Sequence, residues 1–227
     1  MIFTGVIVNF FAILAGTAMG LLAGKLLTEK LRGAIMNAVA LVVMGVAIPG
    51  LIGTSHQPLV PILSLVIGTV IGEALDLDRR MNWLGEKVQS KCKGSPVAEG
   101  FVTATMVFAV GAMAINGSLD SGLRCDHAVL ISKSVIDGIT AAAFAASSLG
   151  IGVALSAIPV TVVEGGIVLL ASLLQPLLND AVIGEMSFVG SLLILAIGFN
   201  MLGLTKLKVL NMTPGVLLPI LLCLVFR

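Results

Sequence analysis

Charge is what this sequence has least of. Its 227 residues hold 13 Lys+Arg and 12 Asp+Glu, 11% in all. A soluble domain carries about 25%, so these residues cannot cover a water-facing surface. The net charge of +1, with no basic tract interleaved with aromatics, excludes a general affinity for nucleic acid. Cysteine is also sparse. Cys92, Cys125 and Cys223 have no metal-site spacing and make no disulfide framework. The two histidines, His56 and His127, fall outside the apolar runs and read as loop residues. The chain has no G-x-x-x-x-G-K-[ST] loop, so nucleotide-derived energy would need a partner chain. It has no H-E-x-x-H, no G-x-S-x-G and no cysteine–histidine pair in an apolar run, so it is read as a non-enzyme that needs no cofactor.

What is present is apolar. Hydrophobic residues make up 58% of the chain, glycine adds 26 residues, and the mean hydropathy is +1.13. This is the composition of an integral membrane protein whose first partner is the bilayer. Eight apolar segments can be drawn, at about 2–24, 34–53, 58–75, 97–116, 128–149, 151–174, 188–204 and 209–226, within one transmembrane domain spanning 1–227. A spanning segment must satisfy its backbone internally, as a helix or in a closed barrel. Barrel strands alternate over about 10 residues. These runs are longer and do not alternate, so the fold class is all-α. The first run lacks a basic region before it and reads as a retained helix rather than a signal peptide.

Basic residues then orient the chain. With the N-terminus outside and every segment crossing, Lys25, Lys30, Arg32, Arg79, Arg80, Lys87, Lys91, Lys93, Lys206 and Lys208 lie inside. Only Arg124 and Arg227 lie outside. This predicts a bacterial inner membrane protein with cytoplasmic charged loops. Between the third and fourth segments, Leu77, Met81, Leu84 and Val88 recur at helical spacing among charges. They predict an interfacial amphipathic helix over about 77–92, with Trp83 near the headgroups.

Small residues form stripes. Gly16, Gly20 and Gly24 recur every four residues, as do Gly68 and Gly72, and Ala141 to Ala146 make another smooth face. In lipid such faces let helix backbones approach closely, or join subunits. The GTAMG of the first segment matches the GTVIG of the third, which suggests internal hairpin repeats. Asn211-Met212-Thr213-Pro214-Gly215 predicts a break in the eighth segment.

The functional expectation rests on polar groups within the apolar runs. A charge at mid-bilayer costs about 2.5–3.5 kcal/mol on the insertion scale and needs a partner or a wet cavity. Asp137 lies nine residues into the fifth segment, roughly 14 Å deep. Lys133 is one turn away and can pair with it. Ser134 stands beside them. Glu164 lies midway along the sixth segment and shares a face with Ser156, next to Pro159. Asn116 sits at the outer end of the fourth segment, beside Ser118 and Asp120; Asn9 and Asn200 lie within the first and seventh. Glu73, near the inner end of the third, is read as snorkelling to the interface. The set predicts a midplane site for a small ion or polar solute, formed by Asp137, Lys133, Ser134, Glu164, Ser156, Asn116 and Asn200. If a cation binds there, Asp137 and Glu164 are its ligands.

GAMAINGSLDSGL (111–123), the KSxxDG element at Lys133–Gly138, the GxxxSAIP element at Gly152–Pro159 and GFNMLGLTKLKVLNMTPG (198–215) resemble family 554 of domains of unknown function, the YqgA/YdfK-like membrane proteins. The resemblance covers essentially the whole chain. It implies a multi-pass inner-membrane protein of transport type, with no established substrate and no catalytic residues to carry over. The expected function is therefore transport of a small ion or solute by a carrier-like protein, with a homodimer favoured. The alternatives are an oligomeric ion channel and a non-transporting scaffold or lipid-binding protein.

Overall fold

Long apolar runs rich in alanine, leucine and valine fold as helices when no water competes for their backbone. The computed structural model describes residues 1–52, 57–80, 83, 97–109, 111–147 and 149–225. Among the described residues there are helices and turns but no strand. Helices α1 (Thr4–Gly24), α2 (Glu29–Ile52) and α3 (Leu59–Leu75) come first. Then follow α4 (Val97–Ala109), α5 (Ala112–Arg124), α6 (Ala128–Ala146), α7 (Gly152–Leu155), α8 (Ala157–Leu169), α9 (Ala171–Leu174) and α10 (Asp180–Met201). The chain ends in α11 (Val209–Met212), a 3₁₀ turn (Thr213–Val216) and α12 (Pro219–Val225).

Eight crossings are not confirmed. Among the described residues, five helical stretches are long and apolar enough to span a bilayer: α1, α2, α6, α10 and Gly152–Leu169. The pair α4 and α5, bent by 59°, makes a sixth candidate. Helix α3 has 17 residues and is shorter than these spans. The last segment is broken as expected. Pro214 and Pro219 lack the N–H that would continue a helix, and the backbone tightens to a 3₁₀ turn between them.

Two boundaries move for identifiable reasons. The fourth segment does not end at 116. It breaks at Gly111, whose backbone is extended, and resumes as α5 as far as Arg124. Ala114, Ile115, Ser118, Leu119 and Ser121 are buried there, so the stretch expected to be a loop packs as a helix. The seventh segment begins eight residues before its expected start, because Asn179 caps α10 by accepting a hydrogen bond from the Val182 N–H at 3.0 Å. Of the interfacial helix, residues 77–80 are helical and Trp83 is exposed; the remaining positions of that prediction, with Cys92 and His56, lie outside the described residues.

Glycine contacts define the packing. A Cβ on Gly16 would fall 2.0 Å from the Gly138 carbonyl oxygen, and one on Gly20 would fall 2.2 Å from that of Ala142. Gly5 meets Leu130 and Gly24 meets Ala146 along the same seam. The numbers rise together, so α1 and α6 run parallel. Two parallel spanning helices require an odd number of crossings between them, a number met if the short α3 and the bent α4–α5 pair cross along with α2. Gly68 packs on Pro214 and Gly215 while Gly72 packs on Asn211, so α3 runs against the final segment in the opposite sense. The GTAMG and GTVIG stretches thus both serve close approach, but to partners of opposite direction.

The charged segments gather at one end. Arg32 donates to the Gly24 carbonyl at 2.7 Å, Lys208 pairs with Glu73 at 3.7 Å, and the Asp78 N–H donates to Asn211 Oδ1 at 2.7 Å. Arg124 and His127 lie at the other end of the bundle. Between the ends, large apolar side chains such as Phe11, Leu41, Val46, Val135, Ile139 and Val162 stay exposed on the outer surfaces of the helices. That is the surface a bilayer would cover.

Candidate functional site

Three helices bring four polar side chains together inside the bundle. Helix α6 supplies Lys133 and Asp137, one turn apart on its buried face. Helix α8 supplies Glu164, and α1 supplies Asn9. The glycine seam makes this meeting possible, since Gly16 against Gly138 lets the α1 backbone touch α6. All four are buried: Asn9 and Glu164 are 0% exposed, Asp137 5% and Lys133 6%.

Each group in the cluster is held by another. The Lys133 ammonium donates to Asp137 Oδ2 and lies 3.2 Å from Glu164 Oε1. The Asn9 amide donates to Glu164 Oε1 at 3.0 Å and to Oε2 at 3.2 Å. One acceptor is left over. Asn9 Oδ1 is buried without a hydrogen-bond partner. When fully ionised, the two carboxylates and one ammonium leave a net charge of −1 inside an apolar bundle. Charges removed from water are held only where partners replace the lost hydration, and the partners here are one charge short.

The other expected site residues are placed as follows. Ser134 is buried beside Lys133, with its hydroxyl donating to the Leu130 carbonyl at 2.7 Å. Ser156 is buried between α7 and α8 and donates to the Val153 carbonyl at 2.7 Å. Asn116 is exposed on α5. Asn200 ties the turn after α10: it donates to the Leu207 carbonyl at 2.8 Å and accepts from Thr205 at 2.7 Å. It lines a cavity of about 420 Å³ with Asp78, Glu99, Thr103 and Lys206, and none of the four clustered residues lines that cavity. The structure therefore joins Lys133, Asp137 and Glu164 directly, keeps Ser134 adjacent, and sets Asn116 and Asn200 apart.

Two polar residues join the buried set unexpectedly. Asn9 reads in sequence as interhelical glue, and it is the donor that fixes Glu164. Ser118, expected near outer water, is 0% exposed, and its hydroxyl has no partner. Gly122 meets Val168, so one turn back along each helix Ser118 stands level with Glu164. A further buried acid, Glu185, lies at the far end of α10, where it accepts from the Gln57 N–H at 3.3 Å. It escaped notice because it interrupts the apolar run that marks the rest of α10.

The comparisons with known proteins can be set against this geometry. Residues 4–224 match the family model described as protein of unknown function (DUF554). The chain belongs to the DUF554 family. It is 34% identical over 218 residues to the Bacillus subtilis (strain 168) protein called uncharacterized membrane protein YdfK, covering 95% of this chain and 93% of that one. It is 31% identical over 221 residues to uncharacterized protein YqgA of Escherichia coli (strain K12), covering 94% and 93%. No solved structure matches it. The DUF554 match includes Asn9, Lys133, Asp137 and Glu164, so the buried cluster belongs to the family domain. In this DUF554 protein the oxygen ligands are hard, two carboxylates and an amide oxygen, with the Lys133 ammonium beside them as a fixed positive charge. Among the described residues no group of three or more His, Cys, Asp or Glu is placed to hold a metal ion. The donor set suits a proton, a light cation or a small polar solute.

Proposed function

We propose that this DUF554 protein carries a small ion or small polar solute across the bacterial inner membrane, and that the Asn9–Lys133–Asp137–Glu164 cluster is the coupling site. One observation carries the reading: the buried cluster sets two acids against one ammonium, a charge short when both acids are ionised, and has an unused acceptor, Asn9 Oδ1. A cluster that served only to lock α1, α6 and α8 would reach charge balance with a single pair. The positions of the breaks support the same reading. Helix α5 begins five residues before Gly117, which meets Leu130, and Asp137 lies seven residues beyond Leu130 on the antiparallel α6. The start of a half-helix is thus level with the buried acid, as in discontinuous carrier helices. The basic end, with Lys25, Arg32, Lys206 and Lys208, is assigned to the cytoplasm by the positive-inside rule.

The test is flux in proteoliposomes of purified full-length protein, run for a panel of labelled ions, amino acids and carboxylates, with Asp137→Asn beside the wild type. Saturable uptake that falls at least tenfold in the variant, with both proteins equally folded, is the expected result. A panel flat for both proteins, with pumping gradients of either polarity, would sink the carrier reading.

A further inference from the structure

We infer that the buried cluster binds one monovalent metal cation beside Lys133, held by Asn9 Oδ1 and by carboxylate oxygens of Asp137 and Glu164. This rests on the carrier reading for its role in transport, and it names the substrate class.

The orphaned acceptor is the first ground. Asn9 is wholly buried, and its amide nitrogen is committed to both oxygens of Glu164. Turning the amide over would aim its oxygen at a carboxylate, so the orientation is fixed and Oδ1 stays unpaired. A buried acceptor with no donor has lost its hydration without replacement, and a bound cation removes that cost. Charge is the second ground. With both acids ionised, two carboxylates and one ammonium sum to −1. One monovalent cation brings the sum to zero, whereas a divalent ion would leave +1 in the same apolar shell. Chemistry is the third. Carboxylate and amide oxygens are the hard ligands that light metal cations prefer, and the unpartnered Ser118 hydroxyl stands level with Glu164 as a further oxygen. Lys133 then acts as a tethered neighbour of the solute cation: it holds the two acids together in its absence and shares them in its presence.

The experiment is thermal unfolding of the full-length protein in detergent, in lithium, sodium and potassium chloride against choline chloride at equal ionic strength, with pH varied in choline alone. A ligand that binds only the folded state raises the midpoint in proportion to the logarithm of its concentration. At least one alkali cation should raise it by about 5 °C at a hundredfold excess over Kd. Asp137→Asn and Glu164→Gln each leave a single balanced pair with Lys133. Both should lose the alkali effect; either variant alone suffices if the other does not fold. Equal midpoints in alkali and choline overturn the inference. So does an alkali effect that survives both substitutions, which would place the cation elsewhere. Stabilisation by acid alone, with no alkali effect, also overturns it and assigns the site to a proton. The flux assay separates the two claims. Alkali binding without flux removes the carrier and leaves the cation site; flux of another solute without alkali binding removes the cation site and leaves the carrier.

Discussion

The Asn9 amide nitrogen of α1 lies 3.0 and 3.2 Å from the two carboxylate oxygens of Glu164 in α8, across 155 residues of sequence. The contact links the first helix to the middle of the chain in a place with no water to take over. A hydrogen bond to a charged group contributes about 1.5–3 kcal/mol. Asn9→Ala should therefore lower stability by about 2 kcal/mol, read as a fall in the unfolding midpoint in detergent. Asn9→Gln, which keeps the amide on a longer stem, should recover only part of it. An Asn9→Ala protein as stable as the wild type would show that Lys133 alone holds Glu164.

Lys133 is the one positive charge between Asp137 and Glu164. Removing it leaves two buried carboxylates with no counter-charge, and an uncompensated buried charge costs about 3–5 kcal/mol. Lys133→Met should be the most damaging single change in the cluster, with little folded protein recovered from the membrane. The double variant Lys133→Met/Asp137→Asn removes one of the stranded acids and should recover part of the yield. That recovery, measured against each single variant, reports the coupling between the two positions. Independent, additive losses would mean that the ion pair carries no coupling energy.

Asp137 and Lys133 are visible in the sequence because charges four residues apart stand out in an apolar run. Glu164 is visible for the same reason. Asn9 is not, since a lone asparagine in a glycine-rich helix has no local signal; only the α1–α6 seam, formed by residues over a hundred positions apart, turns it toward Glu164. The helical class follows from run length alone. The number of crossings does not, because Gly111, Pro214 and Pro219 break segments whose hydropathy is continuous. Ser118 and Glu185 are missed for a related reason. Each lies on a helix whose polar stretch dilutes the apolar run, so hydropathy assigns it to a loop while packing buries it.

Gly16 and Gly166 separate packing from propensity. A Cβ on Gly16 would sit 2.0 Å from the Gly138 carbonyl oxygen, and backbone cannot retreat as a side-chain tip can. Gly16→Ala should force α1 away from α6 and cost about 1–3 kcal/mol. It should also weaken any ligand effect at the cluster, since Asn9 is carried on the displaced helix. A Cβ on Gly166 would meet nothing within 4 Å, and the residue is helical. Gly166→Ala should be neutral or stabilising by up to about 1 kcal/mol, the helix preference of alanine over glycine. Equal effects at the two positions, in parallel unfolding curves, would mean that the seam is not tightly packed.

Arg124 and Lys206 mark opposite ends of the bundle, and the neighbouring Cys125 gives a native handle. Cys125 is exposed at the turn between α5 and α6, and Lys206 is exposed after α10. In a Cys92→Ser/Cys223→Ser background, a membrane-impermeant maleimide should label Cys125 in intact spheroplasts. With Cys125 also replaced by Ser, Lys206→Cys should be labelled only after the membrane is opened. The parallel run of α1 and α6 requires the α1–α2 turn and the end of α6 to share a side, which the proposed positive-inside orientation puts in the cytoplasm. A third probe follows from this. Lys25→Cys should behave as Lys206→Cys does, because Gly24 lies against Ala146 at the same end. Labelling of Cys125 and Lys206→Cys from one side would mean that one of α6, Gly152–Leu169 and α10 does not cross. Labelling of Cys125 and Lys25→Cys from one side would mean that α2, α3 or the bent α4–α5 pair does not cross, and the half-helix argument for the site would fall with the last of these.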